Sequence, residues 1–251
     1  MWQSFLAALC FLTIFPVPDT WIKQQDNRTV QGNSLLFYPV VGLFLGAALV
    51  VVSFFFSVFD SLLISALLIT VWVVLTGALH LDGLADTADA WLGGHGDPDK
   101  TLSIMKDTHV GVAAVVAIVL VLIIKILALN EIRTELIFAL LVTPVLARTS
   151  VMVLLLTTDY VRPNGIGTRM VVAMPRNIAW AVVVLVCLLS MVVLRWQAIF
   201  VLISVGLAIY LYRIALQRRL AGTTGDTAGA LIEIIEVLIL LDFAAREFLA
   251  R

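Results

Sequence analysis

Long apolar runs at 34–58, 61–81, 110–129, 134–157, 178–194, 197–212 and 227–245 constrain this chain more than any other feature. A helix needs about 20 apolar residues to cross the hydrocarbon core of a bilayer. The expectation is therefore an all-α, polytopic integral membrane protein with about seven spanning helices. Residues 2–15 add a shorter apolar helix, stopped by Pro16 and Pro18. Composition agrees: 62% of the 251 residues are hydrophobic and 13% are charged, where soluble domains run at roughly a half and a quarter. Pro39 and Pro144 fall inside runs and predict kinks rather than breaks. No polar linker or low-complexity stretch divides the chain, so residues 1–251 read as one transmembrane domain. No Lys or Arg precedes the first apolar stretch, which argues against a cleaved signal peptide. Cys10 and Cys187 lie far apart in apolar runs and read as small buried hydrophobes.

The formal net charge of −1 gives no field that would gather nucleic acid. Charge placement is more informative. Alternating the spans puts 19–33, 82–109, 158–177 and 213–226 on one side, with ten of the sixteen Lys and Arg. The other side holds four, and Lys125 and Arg148 lie within spans. The positive-inside rule assigns the ten-residue side to the cytoplasm. Every polar, motif-like segment lies on that same side. This layout suits a cytoplasmic-face active site better than a transport pathway, whose polar groups gather near the midplane.

Three carboxylates follow the second long run, in "HLDGLADTAD". Asp82, Asp86 and Asp89 are spaced i, i+4 and i+7, which places them on one helix face over about 10 Å of axis. Like charges this close repel unless a cation neutralises them. Oxygen ligands without Cys or paired His favour Mg²⁺, which shares its shell with substrate phosphates. The plainer reading is a solvated helix end with an Asp at a cap. Gly83, Ala85 and Ala88 would let another helix or a phosphate come close.

Two stretches echo the first: "MKDTHVG", with Asp107, and "TTGDTAGALIEIIE", with Asp226 and Thr227. In the latter, Asp226, Gly229, Glu233 and Glu236 form a helical stripe. Carboxylates inside a membrane span are costly and mark function, or else join helices. Arg148, well inside its run, must pair or line a wet cavity, and Glu233 or Glu236 would suit it. Lys125 is expected to snorkel towards the far interface near Glu131. His80 and His109 flank acidic residues as bases or as polar interfacial groups, and His95 reads as a loop residue. In "DYVRPNGIGTRM", Arg162, Asn164, Gly165, Gly167 and Arg169 can wrap an anion with guanidinium forks and backbone N–H groups, although juxtamembrane arginines also serve orientation. Together these residues point to phosphoryl or nucleotidyl transfer, with Mg²⁺ bridging carboxylates and a diphosphate while a hydroxyl displaces a nucleoside monophosphate.

The run "GALHLDGLADTADAWLGG", then "IMKDTHVG", "RPNGIG" and "TGDTAGALIEIIE", resembles the cobalamin synthase family, the adenosylcobinamide-GDP ribazoletransferases. The early "LTIFPVP" and "FYPVVGLFLGA" are similar to that family's N-terminal pattern. The resemblance implies a Mg²⁺-dependent, multi-pass inner-membrane enzyme of nucleotide-loop assembly in cobalamin biosynthesis. It would join adenosylcobinamide-GDP to α-ribazole or its 5′-phosphate through the ribose 3′-hydroxyl, with release of GMP. Its partners would be those two substrates and the lipid bilayer, with room for other nucleotide-loop enzymes. Asp82, Asp86, Asp89 and Asp226 are the candidate metal ligands. Asp226 is the favoured base, with Asp89 and Asp107 as alternatives. His80, Arg148, Arg162, Asn164, Gly165, Gly167, Thr227 and Glu233 are the candidate substrate contacts. "DGLAD" also looks like a variant of the "DG…AR" motif of CDP-alcohol phosphotransferases, with Asp86 in place of their Arg. A lipid phosphotransferase of that type is thus one alternative, and a divalent-cation transporter another.

Overall fold

A computed structural model of the chain describes residues 1–17, 27–107, 109–163 and 165–249. Helix α1 (Trp2–Leu12) is followed by α2 (Arg28–Ser34), which starts where the Asn27 side chain accepts the Thr29 N–H at 2.9 Å. A 3₁₀ turn over Leu35–Phe37 leads into α3 (Tyr38–Phe55). Pro39 has no N–H to offer the Leu35 carbonyl, and the Tyr38 N–H takes that carbonyl instead. Pro39 therefore sits in the first turn of α3, where a missing donor costs nothing. It thus marks the joint between the 3₁₀ turn and α3 within the stretch 28–55.

The larger departure is at 61–81. Asp60 caps α4 (Ser61–Leu75) by accepting the Leu63 N–H at 3.0 Å, but α4 ends at Leu75. Gly77 and Ala78 adopt φ of +60° and +57°, and α5 (Leu79–Gly93) leaves at 88° to α4. Gly77 supplies the left-handed residue that commonly closes a helix. The Leu75 carbonyl freed at the helix end accepts the Ile14 N–H at 2.9 Å. The acidic cluster thus rides on a separate helix rather than on the tail of a straight span.

The remaining helices are α6 (Pro98–Ile104), α7 (Val112–Glu131), α8 (Leu136–Thr157), α9 (Ile166–Val172), α10 (Arg176–Leu194), α11 (Gln197–Leu220) and α12 (Gly225–Leu249). Among the described residues, five stretches are long and apolar enough to cross a membrane: 28–55, α7, α8, α10 and α11. The bent pair α4–α5 would be a sixth. Helix α12 matches them in length at 25 residues but carries Glu233 and Glu236 in its middle. Helix α8 is the axis of the bundle: 83% of its apolar window is buried, against 22% for α7 and for α11, whose open apolar faces suit lipid. Helix α8 runs on through Pro144. The Leu140 carbonyl, which loses its i+4 donor there, lies against Gly46 of α3, and the Pro144 carbonyl lies against Gly42. A Cβ at either glycine would fall 2.5 Å from that oxygen, so only glycine permits the approach.

Between α7, α8 and α12 lies a buried ionic network. Lys125 Nζ donates to Glu233 at 2.6 Å and to Glu236 at 2.5 Å, and Arg148 pairs with Glu236. Lys125 also sits 5.4 Å from the centre of the Trp72 ring. Two cations meet two anions, so the cluster carries no net charge into the apolar interior. The structure corrects the sequence reading of Lys125, which does not snorkel towards Glu131: it is 3% exposed and neutralises α12. Breaking one partner of a buried pair leaves an uncompensated charge, at a cost of about 3–5 kcal/mol. Arg148→Met and Glu236→Gln should each destabilise by that order, and the double variant by much less than the sum. Thermal unfolding in detergent reads the cycle, and additive losses would show that the two side chains do not act as a pair.

Candidate active site

Helices α5 and α12 cross at a point where glycine is required. A Cβ on Gly83 would lie 2.7 Å from the Asp226 carbonyl oxygen, which only glycine permits, while Gly229 faces the backbone of His80 and Gly83 with room for ordinary contact. With no side chains between them, the helices bring two acidic segments together. Asp86 feels the negative charges of Asp226, Asp82 and Asp89 and the positive charge of Arg162. Asp226 forms an ion pair with Arg162 at 2.6 Å, and Arg162 also donates to the Met105 carbonyl at 3.1 Å.

Arg162 is placed by backbone pairing. The segment 159–161 lies beside Thr223, with the Thr223 N–H on the Asp159 carbonyl at 2.8 Å and the Val161 N–H on the Thr223 carbonyl at 2.9 Å. Helix α12 then starts in a reciprocal cap. The Thr224 N–H donates to Thr227 Oγ1 at 2.8 Å, and the Thr227 N–H donates to Thr224 Oγ1 at 3.2 Å. Thr227 is buried in this cap, so the structure gives it a helix-starting role and keeps it off the cavity lining.

Beside the crossing lies a cavity of about 180 Å³. Its polar end holds Asp82, Gly83, Gly225 and Asp226, while Phe11, Leu12, Leu35, Tyr38, Leu155 and Met170 form much of its apolar wall. Asp82 and Gly225 are exposed, so the polar end is open, and the exposed Phe11 and Leu79 open the apolar side as well. Tyr160, which is not among the candidates singled out above, lines it as well. Its ring lies against Gly167, where any Cβ would collide with it, and its hydroxyl meets the Gly225 backbone. Burial pushes the Tyr160 phenol up, so it stays protonated.

The other predicted residues fall into four groups. His80 lines the cavity and is buried, with Nδ1 3.4 Å from the Arg148 guanidinium. A guanidinium only donates, which assigns the ring proton to Nε2, a buried atom without a partner among the described residues. Arg148 and Glu233 lie inside the ionic network and are not among the cavity's lining residues. Gly167 reaches the cavity and Gly165 begins α9; Asn164 lies outside the described residues. Asp107 pairs with His109 at 2.6 Å in the loop after α6, and that contact raises the His109 imidazole above its usual range.

Asp89 takes the role of a cap. Its two carboxylate oxygens accept the Gly111 N–H at 2.6 Å and the Ala114 N–H at 3.0 Å, closing the start of α7. Asp89 therefore caps the neighbouring helix α7 rather than its own, while Asp82 stands exposed.

For Mg²⁺ the donors are of the right kind. Asp82, Asp86 and Asp226 offer hard carboxylate oxygens, and Arg162 is the cation paired among them. Among the described residues, no three Asp, Glu, His or Cys side chains already converge into a cage.

Fold and site define the class: a polytopic helical membrane protein whose carboxylates, drawn from two crossing helices, gather at the open end of an apolar cavity. The chain belongs to the cobalamin-5-phosphate synthase family, whose model matches residues 4–244. It is 46% identical over 240 residues to the adenosylcobinamide-GDP ribazoletransferase of Stutzerimonas stutzeri strain A1501, covering 95% of this chain and 96% of that one. It is 45% identical to the enzyme of the same name from Pseudomonas fluorescens strain Pf0-1, over 85% of this chain and 88% of that one. The Pseudomonas putida strain GB-1 relative, also so named, is 44% identical over 96% and 98% of the two chains. No solved structure matches the chain.

The capping geometry separates Asp89 from its neighbours. Asp89→Ala should destabilise by about 1 kcal/mol, as lost caps do. Asp89→Asn keeps an oxygen acceptor and should lower turnover only a few-fold. Unfolding and turnover measured on the same preparations decide it. Abolished turnover in Asp89→Asn at unchanged stability would restore Asp89 as a metal ligand.

Proposed function

We propose that this chain is a Mg²⁺-dependent transferase that joins adenosylcobinamide-GDP to α-ribazole, or to its 5′-phosphate, and releases GMP. The relatives' shared name supports the substrates. The observation that carries the chemistry is the α5–α12 crossing, which sets Asp82 and Asp86 opposite the Asp226–Arg162 pair. The excess of basic residues on the motif-bearing loops supports a cytoplasmic-facing site in the inner membrane.

In this reading Asp82, Asp86 and Asp226 hold Mg²⁺, which supplies charge neutralisation for the diphosphate. Arg162 forks onto a phosphate oxygen as the diphosphate enters. The ribose 3′-oxygen attacks the phosphorus esterified to cobinamide, and Asp226 takes the hydroxyl proton. The bond from that phosphorus to the bridging oxygen breaks, and GMP leaves with the oxygen. The chain's task is to position two substrates and compensate charge at an apolar boundary.

Asp82→Ala and Asp86→Ala should each lower GMP release by about a thousandfold, an order typical of losing a key electrostatic group, while leaving membrane insertion intact. The assay is purified protein with adenosylcobinamide-GDP and α-ribazole, with Mg²⁺ and with chelator, and with a CDP-alcohol donor as a parallel arm. Near-wild-type turnover in either variant would remove the metal-site reading. Turnover of the CDP-alcohol alone would make the chain a lipid phosphotransferase.

A further inference from the structure

We propose that the apolar cavity beside the carboxylates is the subsite for the aromatic base of the α-riboside, with the corrinoid remaining outside it. This deepens the transferase reading and rests on it. Three bulky groups take part in that reaction: the corrin macrocycle, guanine and the dimethylbenzimidazole base of α-ribazole. The cavity measures about 180 Å³. An apolar protein cavity of about 150 Å³ holds one benzene, so this one is on the scale of a small flat aromatic group that reaches out through its open end, and it excludes a macrocycle on size. Guanine fails on chemistry. Its edges carry several donors and acceptors, more than His80 can meet among walls such as Leu12, Leu35, Leu155 and Met170, whereas a single ring nitrogen needs only one donor. Each group left unpaired costs about tenfold or more in affinity.

Dimethylbenzimidazole is apolar and flat and, once joined to ribose, has one free ring nitrogen. Phe11 and Tyr38 form a stacked pair in the wall, with ring centroids 6.5 Å apart and planes 20° from parallel. That wall suits a planar ring. Asp82 and Asp226 lie at the open, polar end. A base held in the apolar part therefore presents its ribose to Asp226, while the diphosphate and corrinoid approach from outside.

The test compares ribosides of dimethylbenzimidazole and unsubstituted benzimidazole on the wild-type enzyme, alongside two cavity-filling variants, Met170→Trp from α9 and Leu155→Phe from α8. Both KM values are measured, and α-ribazole binding is measured separately by calorimetry, so that the subsite is read without turnover. Each methyl removed should weaken α-riboside binding roughly fourfold. The filling variants should weaken it about tenfold and leave the KM for adenosylcobinamide-GDP within about twofold. A raised KM for adenosylcobinamide-GDP instead would overturn the assignment, as would α-ribazole binding indifferent to the methyls and to whichever variant folds. Absent GMP release with intact, methyl-sensitive α-ribazole binding would count against the transferase reading alone.

Discussion

The arrangement depends on two helices touching where side chains are absent. At Gly83 and Gly229, α5 and α12 approach closely enough that a methyl group at Gly83 would strike the Asp226 carbonyl. Lipid tails offer no hydrophobic force to hold membrane helices together, so close backbone packing is one of the few forces available. Such packing would be undone by the carboxylates of α12 if they were left charged and unpaired in the interior. Lys125 and Arg148 remove that objection by neutralising Glu233 and Glu236 below the crossing. The carboxylates of α12 therefore differ in surroundings: Glu233 and Glu236 are paired in the interior, while Asp226 is paired with Arg162 at the cavity.

That difference links fold to chemistry. Arg162 pairs with Asp226 and acts on Asp86, while Asp82 and Asp226 line the polar end of the cavity. The mutual repulsion of the three carboxylates is an energetic debt that a divalent cation and its waters would relieve, and the ion would in turn draw in a diphosphate. Arg162 reaches this place because residues 159–161 pair with Thr223, which ties the α8–α9 loop to the start of α12. A site assembled from α5, α12 and that loop needs all three tied together, and backbone hydrogen bonds and glycine contacts do most of the tying.

Much of this is legible in the sequence. Apolar run length gives the spans, and the i, i+4, i+7 spacing gives the shared face of α5. The cost of a lone charge in hydrocarbon requires a partner for Arg148, which is Glu236. Lys125 was misread because Glu131 is near in sequence while Glu233 and Glu236 are near only in space. The break at 76–78 carried a signal, since Gly77 after Thr76 fits a helix end, but the continuous hydropathy of 61–81 masked it. Asp89 shows the limit of spacing arguments. It shares a helical face with Asp82 and Asp86, yet the start of α7 packs against it and takes its oxygens. Tyr160 could not be found at all, because its importance comes from contacts with Gly167 and Gly225.

The central claim is that carboxylates from α5 and α12 share one divalent cation. Mn²⁺ titration of the purified protein, followed by electron paramagnetic resonance, tests this without any substrate. Wild-type protein should bind one Mn²⁺ saturably and release it to excess Mg²⁺. Asp82→Asn on α5 and Asp226→Asn on α12 should each weaken that binding by about tenfold or more, equivalent to roughly 1.4 kcal/mol. Mn²⁺ binding that survives Asp226→Asn unchanged would place the ion on α5 alone and contradict the account.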